Sequence, residues 1–541
     1  MVRWNWMVLI LVLTMVPDQR NASAAPGQEE LPETDKGESI KALRRKAADR
    51  RRRLIINDDG SDPVMQMTRP SAQDFLDKVT IGLIDSEVDT ISYCPRCSGF
   101  GMFTYFTKVG QVFTTTEGRY SNNQMEALLR EGIDPLQIMV NFCKQNRKEI
   151  FCSFRMNDNH DGTKADYAPL IFRANKFKNE HPELLLGTID SRPKIGAWAA
   201  VDYGRPKIRE LAFRFAEEVC KNYDLDGVEL DFFRHPVLFK SNANGLPATD
   251  ADRTAMTELL LRIRAMADAE GQKRGRPILI SVRAPDSVDY ARAIGLDLEK
   301  WMADDLVDLY MAAGTFQLNE WKYSVALAHK YKVKVYPSLD DTRVVEPSAK
   351  QRRMTNLAYR GRAAEAWSAG ADGILLFNFP RDLRTESKLL EELGDPKKLA
   401  KLDKDYFGSV RGVKNSSGGN LPIQPFQKIE TLTADSPRAM VPGKSITAKL
   451  HLPEGFPENS TSTSTLQLIF EPLPKSLEIT LNGRAAKDFQ TQEGRLKYKV
   501  PPGALRGGDN EIKATISAED SETTNWTELF LEVRRHQDEL K

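Results

Sequence analysis

The sequence contains few of the residues that commonly bind metals. It has six histidines and five cysteines among 541 residues. Cys94-Pro-Arg-Cys97 has the CxxC spacing, but no second CxxC, HxH or HExxH spacing completes a zinc site. We therefore expect neither a metal nor a cofactor. In place of a zinc site, we expect a local disulfide or buried thiols. Because the number of cysteines is odd, at least one of them is expected to be free or to form an intermolecular bond.

The sequence also lacks an excess of charge of one sign and a long hydrophobic run. Its net charge is +1, which argues against a general nucleic-acid binder. The apolar run Met7–Val16 is shorter than the roughly 20 residues of a membrane span, and no later run is apolar enough. With Arg3 before it and Ala22-Ser-Ala24 after it, the run predicts a signal peptide over residues 1–24. An uncleaved N-terminal anchor is the alternative.

This N-terminus predicts an exported protein, periplasmic or extracellular, with no stable membrane insertion after signal cleavage. Residues 25–70 are polar and charged and contain two basic clusters, Arg44-Arg45-Lys46 and Arg50–Arg53. Their composition predicts a disordered or loosely helical linker. Binding of this segment to an anionic surface is the alternative.

An alternating pattern follows from about Phe75 to Tyr406. Short β-branched apolar runs alternate with longer amphipathic segments, which predicts parallel βα units. Eight units favour a closed α/β fold, the (β/α)8 TIM barrel, over residues 71–410. An open doubly wound sheet is the alternative, but no strand is followed by GxGxxG or a P-loop. The predicted strands are Val88–Tyr93, Glu149–Arg155, Gly196–Val201, Gly227–Phe233, Ile278–Val282, Leu306–Met311, Lys334–Pro337 and Gly373–Phe377.

A linker over residues 411–424 separates this pattern from a segment without helical periodicity. Residues 425–541 contain short runs separated by turn signals such as Leu481-Asn-Gly483, which predict a β-sandwich accessory domain. The pieces LNG and PPGALRGGDNEI resemble jelly-roll modules attached to many carbohydrate enzymes. Such modules bind glycans or support the barrel. The absence of an obvious aromatic platform favours support.

The predicted fourth strand carries two carboxylates. Alternate residues of a strand share a face, so Glu229 and Asp231 are expected inside the barrel, with Asp231 nearer the mouth. The C-terminal ends of barrel strands hold the working residues of such folds. Cleavage of a glycosidic bond needs a carboxylic acid and a second carboxylate. We expect Asp231 to be the nucleophile or to stabilise the cation, and Glu229, Asp340 or Asp341 to be the acid.

The other predicted strand ends and their loops are rich in polar and aromatic side chains, which suit sugar hydroxyls and sugar faces. The expected substrate-binding residues are Arg155, Asn157, Asp158, His160, Trp198, Asp202, Tyr203, His235, Arg283, Tyr310 and Asn378. A structural ion pair of the strand carboxylates with Arg155 or Arg283 is one alternative. A metal held by the two histidines with Asp158 and Asp231 is another, which the spacing does not favour.

One segment resembles a known family. Val201–Pro236 reads VDYGRPKIRELAFRFAEEVCKNYDLDGVELDFFRHP and resembles the core of bacterial glycosyl-hydrolase-like barrels labelled family-ten-like. Leu306–Phe316 and Ala371–Pro380 fit the later strands of those barrels. The segments SFRMNDNHD and DGVELDFFRHP most resemble those of exported planctomycete-type hydrolases. The positions that match the family pattern are Pro206, Arg209, Glu210, Tyr223, Asp226, Gly227, Asp231 and Phe232.

The resemblance covers roughly residues 75–410 and implies a retaining or related glycoside hydrolase with Asp231 as the acidic residue of the fourth strand. Glu229 departs from the pattern, because many relatives carry histidine or another residue there. We therefore expect an exported glycoside hydrolase that acts on a poly- or oligosaccharide, with no nucleic-acid partner. A catalytically silent carbohydrate-binding barrel and a scaffold that docks a partner through the sandwich are the alternatives.

Overall fold

The computed structural model describes residues 39–95, 99–314, 316–380, 384, 388–412, 419–456, 462–520 and 522–535. The predicted signal peptide lies outside these ranges, as does Cys97. Within them, no helix is both long and apolar enough to cross a membrane.

Eight parallel strands form one sheet in the order β8-β1-β2-β3-β4-β5-β6-β7. A bridge between Ser338 and Leu375 joins the two ends of this sheet, just beyond β7. The closed (β/α)8 barrel is thereby confirmed. The strands are β1 Leu54–Asp59, β2 Val88–Cys94, β3 Glu149–Arg155, β4 Gly227–Asp231, β5 Leu279–Ala284, β6 Leu309–Ala312, β7 Lys334–Pro337 and β8 Ile374–Phe377.

Helices connect the strands and cover the outside of the barrel. The longest, Asp250–Arg274, begins with a capping box formed by Thr249 and Asp252 and ends at Gly275, whose φ of 67° suits a helix C-terminus. Short 3-10 turns occur at residues 118–120, 160–162, 182–184 and 424–426, and two two-residue strands pair at 102–103 and 111–112. The helices are α1 Ile40–Ala48, α2 Ser61–Gln66, α3 Ala72–Val79, α4 Met125–Arg130, α5 Pro135–Gln145, α6 Ala168–Ala174, α7 Lys176–Glu180, α8 Pro206–Asn222, α9 Lys240–Ala243, α10 Asp250–Arg274, α11 Val288–Ala293, α12 Leu298–Ala303, α13 Trp321–Lys330, α14 Pro347–Arg353, α15 Asn356–Ser368, α16 Leu389–Leu393 and α17 Pro396–Ala400.

The prediction of a linker over residues 25–70 is wrong from α1 onward, because β1 lies within that segment. The apolar part of β1 is only Leu54-Ile-Ile56, and charged residues flank it on both sides. One of those charges, Arg52, is fully buried and donates to Glu149 at 2.7 and 2.9 Å. Pairing with a carboxylate far along the chain lets a basic cluster enter a folded core.

The prediction of a strand at Gly196–Val201 is also wrong. This segment belongs to the connection between β3 and β4, and Val201 forms only an isolated bridge to Leu185. Trp198 packs on Phe172, with ring centroids 4.5 Å apart. The apolar run therefore reflects the burial of a loop rather than a place in the sheet, and β1 supplies the eighth strand instead.

The barrel interior changes from apolar to charged along the strands. Ile55, Phe151, Leu279, Leu309, Met311, Tyr336 and Leu375 form an apolar cluster inside the barrel. Above it, Ser153, Glu229 and Ser281 lie in register on β3, β4 and β5. The next inward position on the same strands holds Arg155, Asp231 and Arg283. Charged side chains therefore collect at the C-terminal ends of the strands.

Two antiparallel sheets form the predicted β-sandwich, which is confirmed. The hairpin at Asn482-Gly483 has φ values of 50° and 79°, as its sequence predicts. The first strand, β9, lies within residues 71–410, which were predicted to belong wholly to the barrel, because its partner β18 is distant in sequence. One sheet contains β9 Lys404–Phe407, β10 Arg438–Met440, β12 Thr463–Glu471, β15 Gln490–Gln492, β16 Arg495–Lys499 and β18 Thr524–Arg534; the other contains β11 Ser445–Leu452, β13 Leu477–Leu481, β14 Arg484–Ala486 and β17 Gly508–Ile516.

A buried ion pair joins the sandwich to the barrel. Arg353 of α14 donates to Glu528 of β18 and to the carbonyl oxygen of Ser409 at 3.0 and 3.2 Å. Both charged side chains are almost fully buried. Nearby, Ala358 of α15 packs against Phe407 and Phe530 of the sandwich, and all three are buried. The barrel and the sandwich therefore share a packed, buried interface.

Four of the five cysteines lie within the described residues, and Cys97 lies outside them. Cys143, Cys152 and Cys220 are buried free thiols, and burial raises the pKa of each. A thiol that stays protonated in an apolar site is a poor nucleophile. Cys94 is buried at the end of β2.

Candidate active site

Asp231 ends β4 and accepts hydrogen bonds from two directions. Its Oδ1 atom accepts from the backbone N–H groups of Phe233 and Arg234, each at 2.9 Å. The same oxygen accepts from Nη1 of Arg283 at 2.9 Å. The chain turns at the end of the strand so that the carboxylate faces the next two amides. This turn fixes Asp231 inside the mouth.

Arg283 bridges two carboxylates across the mouth. It is fully buried, and its Nη2 atom donates to Asp340, in the loop after β7. Its guanidinium carbon lies 3.7 Å from the ring centroid of Phe377. Burial lowers the pKa of Arg283, but Asp231, Asp340 and Glu229 raise it, and the net shift is upward. Arg283, predicted to bind substrate, is therefore engaged in the structural ion pair that was the alternative.

Glu229 lies one pleat below Asp231 and is fully buried. Its Oε1 atom accepts from Ser153 Oγ at 2.6 Å and from Asn57 Nδ2 at 3.0 Å. Burial, with the nearby charge of Asp231, raises the pKa of Glu229 from 4.5 to about 7. Glu229 therefore holds a proton over a pH range in which ordinary glutamates are ionised.

Asp340 and Asp341, the two candidate acids after β7, have different surroundings. Asp340 is buried and accepts from Arg283 and from the Ser338 hydroxyl. The side chain of Asp341 is 41% exposed and lies 3.9 Å from Lys350. The structure therefore brings Asp340, and not Asp341, to the buried carboxylates.

Sequence reasoning missed Asp59 at the end of β1. Its side chain is 21% exposed, and its Oδ2 atom accepts from Arg155 at 2.8 Å. Burial alone raises the pKa of Asp59, but Arg155 and hydrogen bonds from Ser61 hold it below its usual value. Asn378, just after β8, is exposed, with Oδ1 3.5 Å from Arg155. The polar run Asn57-Asp58-Asp59 after a short apolar triplet was the available signal.

Three side chains of the β3 and β4 loops form a cluster of possible metal ligands. Asp158, His160 and His235 offer ligand atoms that all lie within 4.8 Å of one another. A carboxylate with two imidazoles suits zinc or iron. However, Arg155 lies 3.6 Å from Asp158, and Arg234 Nη2 lies 3.1 Å from His160 Nε2. The donor types fit a metal, but two guanidinium groups oppose a cation there.

The Asp158 and His160 side chains also contact each other directly, with Oδ1 and Nδ1 2.7 Å apart. The rings of His160 and His235 meet edge to face at 4.7 Å. Burial, with the charges of His160 and Arg234, lowers the pKa of His235 well below its usual value. His235 is therefore a neutral imidazole at neutral pH.

Two predicted sugar-binding residues instead hold loops together. Asn157 donates to the carbonyl oxygens of Val201 and Val237 at 3.0 and 2.7 Å and accepts from the Val201 amide. Tyr203 is fully buried and donates to the Met156 carbonyl oxygen. The polar atoms of these side chains are already used within the protein.

Tyr310, Trp198 and Asp202 are also placed away from the carboxylates. Tyr310 alternates with the inward residues of β6, so it faces the helices, and it donates to the Pro285 carbonyl oxygen at 2.7 Å. Trp198 packs on a helix residue, as described above. Asp202 accepts from the Gly204 amide at 3.0 Å, and burial raises its pKa. Tyr310 as a mouth residue is a wrong prediction, because the register of β6 places it on the other face.

The comparisons with known proteins give only distant likenesses. No protein-family model matches the chain, and no curated protein matches it. Among solved structures, the chain is similar to a cycloisomaltooligosaccharide glucanotransferase of Paenibacillus sp. at 9% identity and a TM-score of 0.33, over 89% of this chain and 57% of that one. An Anoxybacillus alpha-amylase is similar at 11% identity and a TM-score of 0.38, over 88% of this chain and 99% of that one. The PgaB (BpsB) glycoside hydrolase domain from Bordetella bronchiseptica is similar at 9% identity and a TM-score of 0.37, over 62% of this chain and 100% of that one.

This chain thus spans little more than half of the glucanotransferase, the first of these three. Structures this distant do not identify a reaction, which has to be argued from the side chains at the mouth of the barrel.

Proposed function

We propose that the protein is a glycoside hydrolase that acts through Asp231. The observation that carries the proposal is the position of this carboxylate. It stands at the C-terminal end of β4, is fixed by two backbone amides, and shares Arg283 with Asp340. In (β/α)8 barrels, reacting groups occupy this end of the strands. Asp231 is then the nucleophile or the carboxylate that stabilises an oxocarbenium-like transition state.

Glu229 is the proposed proton donor. Burial and the charge of Asp231 raise its pKa to about 7. An acid that keeps its proton near neutral pH beside a second carboxylate is the division of roles that glycosidic cleavage requires. Asp340 is held by a guanidinium group, and Asp341 faces Lys350.

The finer parts of the proposal come from the sequence. The resemblance of Val201–Pro236 to family-ten-like barrels supports a carbohydrate substrate, with Asp231 at the matching position. The N-terminal segment supports export to the periplasm or beyond. The ion pair of Arg353 with Glu528 supports a β-sandwich that stabilises the barrel.

The test is a panel of polysaccharides incubated with the full-length protein, with release of reducing ends as the readout. We expect the wild type to cleave at least one member, and Asp231→Asn to lose that activity. Asp304→Asn is the matched control, since it removes an exposed carboxylate that pairs with Lys300 next to α12. Activity that survives Asp231→Asn would overturn the assignment.

One observation favours a second candidate, a barrel that binds carbohydrate without cleaving it. Glu229, Asp231 and Asp340 are only 0%, 1% and 2% exposed. They meet a substrate only if the ion pairs of Arg283 open. Binding of a glycan by the wild type, with no cleavage of any panel member, would support this candidate over the hydrolase.

A further inference from the structure

Arg234 and Arg343 lie at the mouth of the barrel, and neither forms an ion pair with a carboxylate among the described residues. Arg234 lies three residues beyond β4, and Arg343 lies six residues beyond β7. Both are partly exposed, and the Nε atom of each is buried without a hydrogen-bond partner within the described ranges, as are those of Arg155, Arg283 and Arg384. Three other arginines at this end of the barrel are paired with carboxylates: Arg155 with Asp59, Arg283 with Asp231 and Asp340, and Arg384 with Asp58. A fourth, Arg411, is buried and donates to backbone carbonyl oxygens.

The position of Arg234 places its charge close to the proposed reacting group. Its backbone amide donates to Asp231 Oδ1 at 2.9 Å, and its Nη2 atom lies 3.1 Å from His160 Nε2. A histidine nitrogen does not neutralise a guanidinium group. The charge of Arg234 is therefore available to a ligand that enters the mouth.

The surroundings of Arg234 are themselves positive. Burial, Arg155 and Arg343 lower the pKa of Arg234 to about 10, and they outweigh the opposite effect of Asp158 and Asp231. The two arginines come from loops on separate strands, but Arg283 joins these loops by pairing with both Asp231 and Asp340, which lie three residues before Arg234 and Arg343. An anion placed here would relieve the repulsion that the two guanidinium groups exert on each other.

The backbone of Arg343 is held in an uncommon conformation. Its φ is 57°, a region that non-glycine residues rarely occupy. Its amide donates to Asp341 Oδ1 at 3.3 Å, and the neighbouring Thr342 carbonyl oxygen accepts from Gly412 at 3.0 Å. Strained residues of this kind persist where the surroundings fix them, and they cluster at ligand sites.

We propose that Arg234 and Arg343 bind an anionic substituent, a carboxylate or a sulfate group, on the sugar that enters the barrel mouth. The inference rests on the proposed function for its location and names its substrate class, an acidic glycan. A guanidinium group matches the two oxygens of either anion with parallel N–H donors. A neutral glycan would leave both positive charges unpaired.

The experiment is a binding titration with full-length Asp231→Asn, which blocks cleavage. The probes are oligosaccharides in matched sets, each neutral sugar with its uronate and its sulfate ester. We expect at least one charged member to bind tenfold or more tightly than its neutral counterpart, and the uronate and sulfate arms tell which anion is preferred. Arg234→Gln and Arg343→Gln, each added to Asp231→Asn, should weaken binding of the charged sugar by about tenfold to a hundredfold.

The matched control is Arg262→Gln in the same background, which removes an exposed arginine paired with Glu210 on the outside of the barrel. It should leave binding unchanged. Circular dichroism of each variant checks the fold. Equal affinity for charged and neutral sugars, or charged-sugar binding that both arginine substitutions leave intact, would overturn the inference, as would no binding by any charged member. Arginine-dependent binding with no cleavage by the wild type would instead contradict only the hydrolase.

Discussion

Replacing Glu229 with glutamine should change how the stability of the protein depends on pH. Burial and Asp231 raise the pKa of Glu229 from 4.5 to about 7 in the folded protein. Between these values the folded state binds more protons than the unfolded state, so the free energy of unfolding falls as pH rises. This shift corresponds to about 3 kcal/mol at pH values above 7.

Glutamine cannot ionise, and its carbonyl oxygen can still accept from Ser153 and Asn57. The Glu229→Gln variant should therefore lack this part of the pH dependence. Its unfolding free energy relative to wild type should rise by about 3 kcal/mol between pH 4.5 and pH 8.

Urea unfolding at several pH values, followed by tryptophan fluorescence, measures this difference, with the same transition compared in each protein. Asp304→Asn is the control, because it removes a carboxylate that is 41% exposed and pairs with Lys300 outside the buried cluster. Parallel curves for wild type and Glu229→Gln over the whole range would refute the reasoning. They would also remove the basis for Glu229 as the proton donor.

Three other changes have definite expectations. Glu528→Gln leaves Arg353 buried without its carboxylate, so urea unfolding should show a loss of about 3–5 kcal/mol, and an unchanged value would contradict the interface. Tyr203→Phe removes one buried hydrogen bond, so the free energy of unfolding should fall by about 1 kcal/mol. Its kcat/KM should stay within about threefold of wild type, and a large loss of activity would show that Tyr203 takes part in substrate binding or catalysis. Treatment with EDTA should change neither melting temperature nor activity, because two guanidinium groups oppose a cation beside His160; a loss that zinc restores would contradict this.

The barrel and the sandwich follow from local patterns in the sequence. Glu229 and Asp231 share the inner face of β4 because strands alternate, and the alternation is visible in five residues. Asn482-Gly483 forms a hairpin because the two residues favour positive φ. Such signals need no knowledge of distant contacts.

The first strand was missed for the opposite reason. Its neighbour Arg52 is buried only because Glu149, 97 residues away, accepts two hydrogen bonds from it. Charge in a sequence indicates exposure unless a distant partner is known. The error also hid Asp59, since a segment predicted as a linker offers no strand end.

Tyr310 shows how a site prediction fails within a correct fold. The predicted strand Leu306–Met311 overlaps β6. Leu309 and Met311 fill the barrel interior, so Tyr310, which lies between them, faces the helices. A shift of one residue moves a side chain to the other face. Arg234 and Arg343 were missed because their lack of ion-pair partners is a property of the folded mouth.

The role of Asp231 as a catalytic carboxylate is tested by a kinetic measurement. It compares kcat/KM of Asp231→Asn and wild type on the polysaccharide that the panel identifies, with both proteins shown to be folded. If Asp231 is catalytic, kcat/KM falls by about a hundredfold or more, mainly through kcat. A folded Asp231→Asn protein whose kcat/KM stays within about tenfold of wild type would contradict it.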